Sequence, residues 1–378
     1  MTREDTATSL LDDLSEALES GIRSDVVALA APGDREAVRE LVALRANARS
    51  LRLADLSMRY VDDNAGRSVA GIAPSLAERA WVGDIRLDWS IGGFDRGVSS
   101  MEVTMTFVQT DDGAAFVTAR TDYGRPAPLW LLERLGVERS DRSLVLAAER
   151  GDAAMLSGYA DLADQAVRDV RKVLPRWRGS LVVEVPDSER QLVRALDSAD
   201  GAYSAIAAVT TPADGSPGDD RPIHIFVNPP VFGPLGEQGA QIVMSHEAAH
   251  VATGAAASSM PTWLLEGFAD YVALAHVDLP VAVTASQILE QVRSSGVPGS
   301  LPGPPAFETD SPDLGASYES AWLACRLLAE EYGEDRLIAF YERADVDGST
   351  TGAFEELGTT ESAFTRTWRD YLGTLADA

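Results

Sequence analysis

The spacing of apolar residues along this chain changes several times, and each change marks an element. Leu10, Leu11, Leu14 and Leu18 recur at three- and four-residue intervals, which predicts an amphipathic helix. Residues 34–51 repeat that period behind a Pro32-Gly33 break. The period then shortens to two. Residues 56–61, 82–91, 101–108 and 114–121 alternate in the manner of strands, separated by turns containing Gly and Asp. Leu144-Val145-Leu146 predicts a further strand. Trp81, Trp89, Phe107 and Phe116 recur through these strands as core aromatics rather than as a ligand box. Residues 1–150 therefore read as an α+β domain with helices packed on a curved antiparallel sheet.

From Met155 onward helices and strands alternate. The pattern predicts a helix over 159–173, a strand over 180–185, a helix over 189–196, and strands over 205–211 and 223–227. Residues 211–221, rich in Asp, Gly and Pro, join the last two strands. Residues 294–317 hold Pro298, Pro302, Pro304, Pro305 and Pro312, so they form a long irregular loop, read either as the border of a cleft or as a surface linker. Helices are predicted over 327–343 and 361–375. Residues 152–378 form the second expected domain.

Composition narrows the function classes. Hydrophobic residues make up 45% and charged residues 24%, a globular balance with enough apolar material for one large or two medium cores. The net charge of −27 repels nucleic-acid phosphates and anionic membrane surfaces, so no nucleic-acid partner is expected. No apolar run is long enough to span a membrane, and the first residues lack the shape of a signal peptide. The single cysteine, Cys325, lies in an apolar helical stretch and reads as a buried thiol. Lys172 is the only lysine.

Candidate chemistry gathers in two neighbouring segments. The chain has four histidines, and two of them, His246 and His250, bracket Glu247 in His246-Glu247-Ala248-Ala249-His250. On a helix, positions i and i+4 lie about 40° apart around the axis, so both imidazoles reach one ion with Glu247 beside them. Gly254 ends that helix, and Pro261 precedes a second. The second helix carries Glu266 as a third ligand and, one turn on, Asp270 as acceptor for the other N–H of His246 or His250. Gly267 predicts close approach of this helix to the first. His224 and His276 have no ligand-like company and read as ordinary core or surface histidines.

His246-Glu247-x-x-His250 followed by Pro261-x-Trp263-Leu264-x-Glu266-Gly267-x-Ala269-Asp270-Tyr271 resembles the gluzincin branch of zinc metallopeptidases, over about residues 152–378. The resemblance implies a mixed sheet with an active-site helix and a helical lower lobe. It implies Zn2+ on His246, His250 and Glu266, with Glu247 as general base toward the water at the metal. By the same likeness Tyr318, in Tyr318-Glu319-Ser320-Ala321-Trp322-Leu323, is the phenol facing the developing oxyanion, and one of the last two strands is an edge that accepts a peptide or protein substrate. No Gly-x-Met-Glu-Asn segment is present, so endopeptidase rather than aminopeptidase action is implied, and no thermolysin-like calcium site is found. Relatives of this layout are often exported or anchored, as parts of longer precursors. The N-terminal domain is similar in outline to cystatin-like or nuclear-transport-factor-like cones, and its expected role is accessory. Two alternatives stay open: a zincin-fold module that binds peptide without turnover, and an accidental motif.

Overall fold

A computed structural model describes residues 2–64, 74–120, 125–149, 153–216 and 221–378. The fold is mixed α+β, with one antiparallel and one mixed sheet. The chain divides into two compact units. One comprises Met1–Ala160, Val182–Ser204 and Thr211–Pro230, and the other Asp161–Leu181, Ala205–Thr210 and Val231–Ala378. The division expected at residues 150–152 falls outside the described residues, and the strand expected over 114–121 ends at Thr118.

The first unit opens with α1 (Arg3–Ser20), α2 (Arg23–Ala28) and α3 (Arg35–Leu51). Thr2 caps α1 through a reciprocal pair of hydrogen bonds with Asp5, and the Asp34 side chain caps α3. Then come β1 (Leu53–Asp63), α4 (Pro74–Ala77), β2 (Ala80–Ile91), β3 (Ser99–Gln109) and β4 (Ala114–Thr118), whose strands form an antiparallel sheet in the order β1-β2-β3-β4. Helix α1 touches both edge strands, β1 and β4, which requires the sheet to curve around it. Irregular register in β1, between Ala54 and Ser57 and between Tyr60 and Asp62, supplies the bend. Trp81, Trp89, Phe107 and Phe116 are all core residues, as their spacing predicts.

The chain continues through α5 (Leu129–Leu132), β5 (Leu135–Arg139), β6 (Ser143–Ala148), α6 (Ala153–Val173), β7 (Leu181–Val185), α7 (Glu189–Ala195), β8 (Ala208–Pro212) and β9 (Ile223–Val227). These five strands form the second sheet, in the order β5-β6-β7-β9-β8. β7 and β9 run parallel in its interior, and β8 is an edge. Asn47 of α3 is fully buried. Its amide donates to the carbonyls of Trp130 and Glu133 and its oxygen accepts from Leu135 N–H, so a polar residue in a helix interior is satisfied by fixing the start of β5.

Apart from Leu181 of β7 and residues at the start of β8, the second unit is helical: it holds most of α6, the end of α8 (Pro229–Phe232), and α9 (Gly236–Thr253), α10 (Thr262–Leu274), α11 (Val281–Thr284), α12 (Ser286–Ser295), α13 (Leu314–Tyr332), α14 (Glu334–Asp347), α15 (Thr351–Glu356) and α16 (Glu361–Asp377). Gly254, at φ +70°, ends α9 and returns its N–H to the His250 carbonyl. The helix expected over 327–343 is two helices. Its apolar period runs through Gly333, but that residue sits at φ +92° and turns the chain. The Pro-rich loop is also shorter than expected, because α13 begins at Leu314, and it contains a 3₁₀ turn at Pro304–Phe307. Among the described residues no helix is long and apolar enough to cross a membrane.

Candidate metal centre

Helix α9 buries polar side chains on an otherwise apolar face: Ser245, Glu247 and His250 join Met244, Ala248 and Ala249 in the interior. Burying such groups is costly unless they are paired. His246 Nδ1 donates to Asp270 Oδ1 at 2.7 Å, which answers which histidine Asp270 serves. That bond occupies Nδ1, orients the ring and turns Nε2 the other way. Nε2 lies 3.0 Å from His250 Nε2 and 3.2 Å from Glu266 Oε2, and His250 Nε2 lies 3.3 Å from that same carboxylate oxygen. Three donor atoms thus form a nearly equilateral triangle.

Atoms bound tetrahedrally to one zinc at about 2.0–2.1 Å stand about 3.3 Å from each other, so the triangle fits that ion closely. The donor set of two imidazoles and a carboxylate is also one that zinc favours. Among the described residues these three form the one group of potential ligands that converges in this way. Burial alone would depress the His246 pKa, but Asp270 and then Glu266 hold it well above the ordinary histidine value. Burial would likewise raise Glu266, yet His250 and His246 hold it well below the usual carboxylate range. The pocket therefore concentrates negative charge that demands positive charge. His250 Nδ1 is buried and has no hydrogen-bond partner among the described residues.

Glu247 is buried beside this triangle, and the Thr210 hydroxyl of β8 lies 2.7 Å from its Oε2 and 3.1 Å from its main-chain carbonyl. Nothing in the local sequence around Thr210 signals this role. Tyr318 stands in the second turn of α13 with its ring 6.1 Å from that of His246. Burial, reinforced by Glu266, Asp270 and Glu247, pushes its phenol pKa up, so the hydroxyl stays protonated. Phe307, from the Pro-rich loop, meets the Tyr318 ring edge-on at 5.1 Å, so that loop packs against the residue that lines the site. A cleft of about 200 Å³ is lined by His246, Glu247, His250, Glu266 and Tyr318 together with Val209 and Thr210 of β8.

Gly267 is needed for close approach, but its neighbour is not α9. A side chain there would meet the Ala321 carbonyl oxygen of α13 at 2.4 Å and the Cys325 sulfur at 3.1 Å. The glycine lets α10 settle against α13, the helix that carries Tyr318. Cys325 is buried, as expected. His276 is exposed, and His224 is a core histidine held between Glu184 and Asp95. No family model matches the chain, and no characterised protein matches it in sequence.

Proposed function

We propose that this protein is a zinc-dependent peptidase, similar to the gluzincins, that hydrolyses peptide bonds at the cleft between α9, α10 and α13. The convergence of His246, His250 and Glu266 on one point, with the Glu247 carboxylate beside it, carries the reading. Those three residues hold the ion, and Asp270 fixes the His246 ring that faces it. Bound there, zinc supplies a Lewis acid that acidifies water and polarises a carbonyl. Glu247 accepts the proton as water attacks and delivers it to the leaving amine. Thr210 holds one oxygen of Glu247, which keeps the other available for that transfer. Tyr318, kept protonated, donates to the carbonyl oxygen as charge develops there, and one such donor contributes about 3–4 kcal/mol. The edge strand β8 supplies part of the cleft wall, so an extended peptide binds by adding a strand to it, with little demand on sequence. A peptide or protein substrate and an endopeptidase mode follow.

The test combines metal analysis with cleavage of a mixed peptide library. About one tightly held zinc per chain and chelator-sensitive cleavage are expected, and Glu247→Gln should keep the zinc while turnover falls by about 10²–10⁴-fold. Cleavage by that variant at the parent rate removes Glu247 as the base. A zinc-loaded protein that binds peptides without cutting them is a recognition module instead of an enzyme.

A further inference from the structure

The helical unit contains a second concavity that shares no residue with the metal cleft. Its volume is about 650 Å³, within the range of about 300–1,000 Å³ typical of small-ligand pockets. Aromatic rings form much of it. Phe268 and Tyr341 are almost fully buried with ring centroids 4.4 Å apart, and Leu174 and Trp177, just past α6, add to the apolar lining with Ile338 of α14. Trp177 already accepts one cation, since the Arg171 guanidinium lies 5.7 Å from its ring centre.

The charged lining is of one dominant sign. Asp335, Glu342 and Asp345 follow one another along α14 at seven- and three-residue spacing, so they share a helix face with Ile338. Arg176 is the only base in the lining, and Glu342 matches it at 3.1 Å. Asp335 and Asp345 form no ion pair among the described residues. An anion entering this cavity is repelled by these carboxylates, and a neutral apolar molecule gains nothing from them. A cation with an apolar body satisfies both halves of the lining, and the net charge of −27 draws it in.

We propose that this cavity binds a small amphipathic organic cation: an aromatic or alkyl body carrying an ammonium or guanidinium group. The body lies against Phe268, Tyr341 and Trp177, and the charge is met by Asp335 and Asp345. The assignment is independent of the metal reading, because neither its residues nor its chemistry involves the zinc ligands.

Calorimetric titration of the full chain with phenethylammonium tests it, with 2-phenylethanol as the neutral analogue and 3-phenylpropionate as the anionic one. Saturable one-site binding of the ammonium is expected, with weaker binding of the alcohol and none of the carboxylate. The double variant Asp335→Asn/Asp345→Asn changes two exposed residues and should bind the ammonium about five- to tenfold more weakly, with the alcohol unaffected. Ala339→Trp, also at an exposed lining position, should fill the cavity and abolish binding of both. Equal binding of ammonium and alcohol, an asparagine double variant as tight as the parent, or no saturable binding below about 10 mM would each overturn the proposal.

Discussion

Two histidines in this protein, His224 in the core and the slightly more exposed His246, are each flanked by carboxylates, and they are built for opposite ends. His224, 1% exposed, engages both ring nitrogens: Nδ1 lies 2.7 Å from Glu184 and Nε2 lies 3.0 Å from Asp95. Burial opposes its charge, but Asp95 and then Glu184 outweigh this and push its pKa up to about 10, so it is an imidazolium at neutral pH with both protons committed. His246 commits only Nδ1, to Asp270, and turns Nε2 toward the point shared with His250 and Glu266. Residue type and two nearby carboxylates are common to both. What distinguishes a charge lock from a ligand site is whether a nitrogen remains, and whether other donors converge on the same point.

The sharpest way to break this contrast is to remove the lock. His224→Gln leaves two buried carboxylates without their cation, and the expected loss of stability is about 3–5 kcal/mol, read by urea denaturation. Zinc content should not change. The pH dependence carries a definite sign. A folded pKa raised from 6.5 to about 10 means that the stability from His224 is fully present below about pH 6.5 and is lost as pH rises through about 10. The stability difference between parent and variant should therefore shrink across that window. A difference that stays constant from pH 6 to beyond 10 would show that His224 is not charged in the folded state.

The next effect falls on the other histidine. Asp270→Asn removes the carboxylate that orients His246 and strengthens it as a donor, and zinc affinity should fall by about 10–100-fold in competition with a chromophoric chelator. His224→Gln should leave that affinity at the parent value. Equal loss in the two variants would mean that the clusters are energetically linked, and the distinction drawn from their geometry would fail.

The two histidine clusters also differ in how far the sequence reveals them. His246, Glu247 and His250 declare themselves because helix geometry turns a four-residue spacing into a shared face, and Glu266 and Asp270 repeat that logic one helix later. His224 declares nothing, because Glu184 lies forty residues away and Asp95 lies 129 away, and only the tertiary fold gathers them. The same limit governs Gly267, whose need for a close neighbour is legible while the neighbour, Ala321 on α13, is not. Strand periods are local and so could be read nearly residue by residue, as over 223–227. The break at Gly333 was hidden by an apolar period that runs straight through it. Of the last two strands before α9, local pattern cannot say which is the edge, because strand order is a long-range property. The sheet makes it β8.

That edge position also makes the smallest prediction the most specific one. Thr210 has a single hydroxyl hydrogen and two acceptors on Glu247, the carboxylate oxygen at 2.7 Å and the main-chain oxygen at 3.1 Å, and the shorter, charged contact takes it. Thr210→Val keeps the β-branched shape suited to a strand and removes only that hydrogen bond. A loss of about 1 kcal/mol is expected, seen as a roughly fivefold fall in kcat with KM and zinc content unchanged. Thr210→Ser keeps the hydroxyl and should restore most of the rate. Valine turning over like the parent would dismiss the contact as incidental. Serine falling as far as valine would assign the effect to the lost methyl group in β8, leaving Glu247 to be positioned by α9 alone.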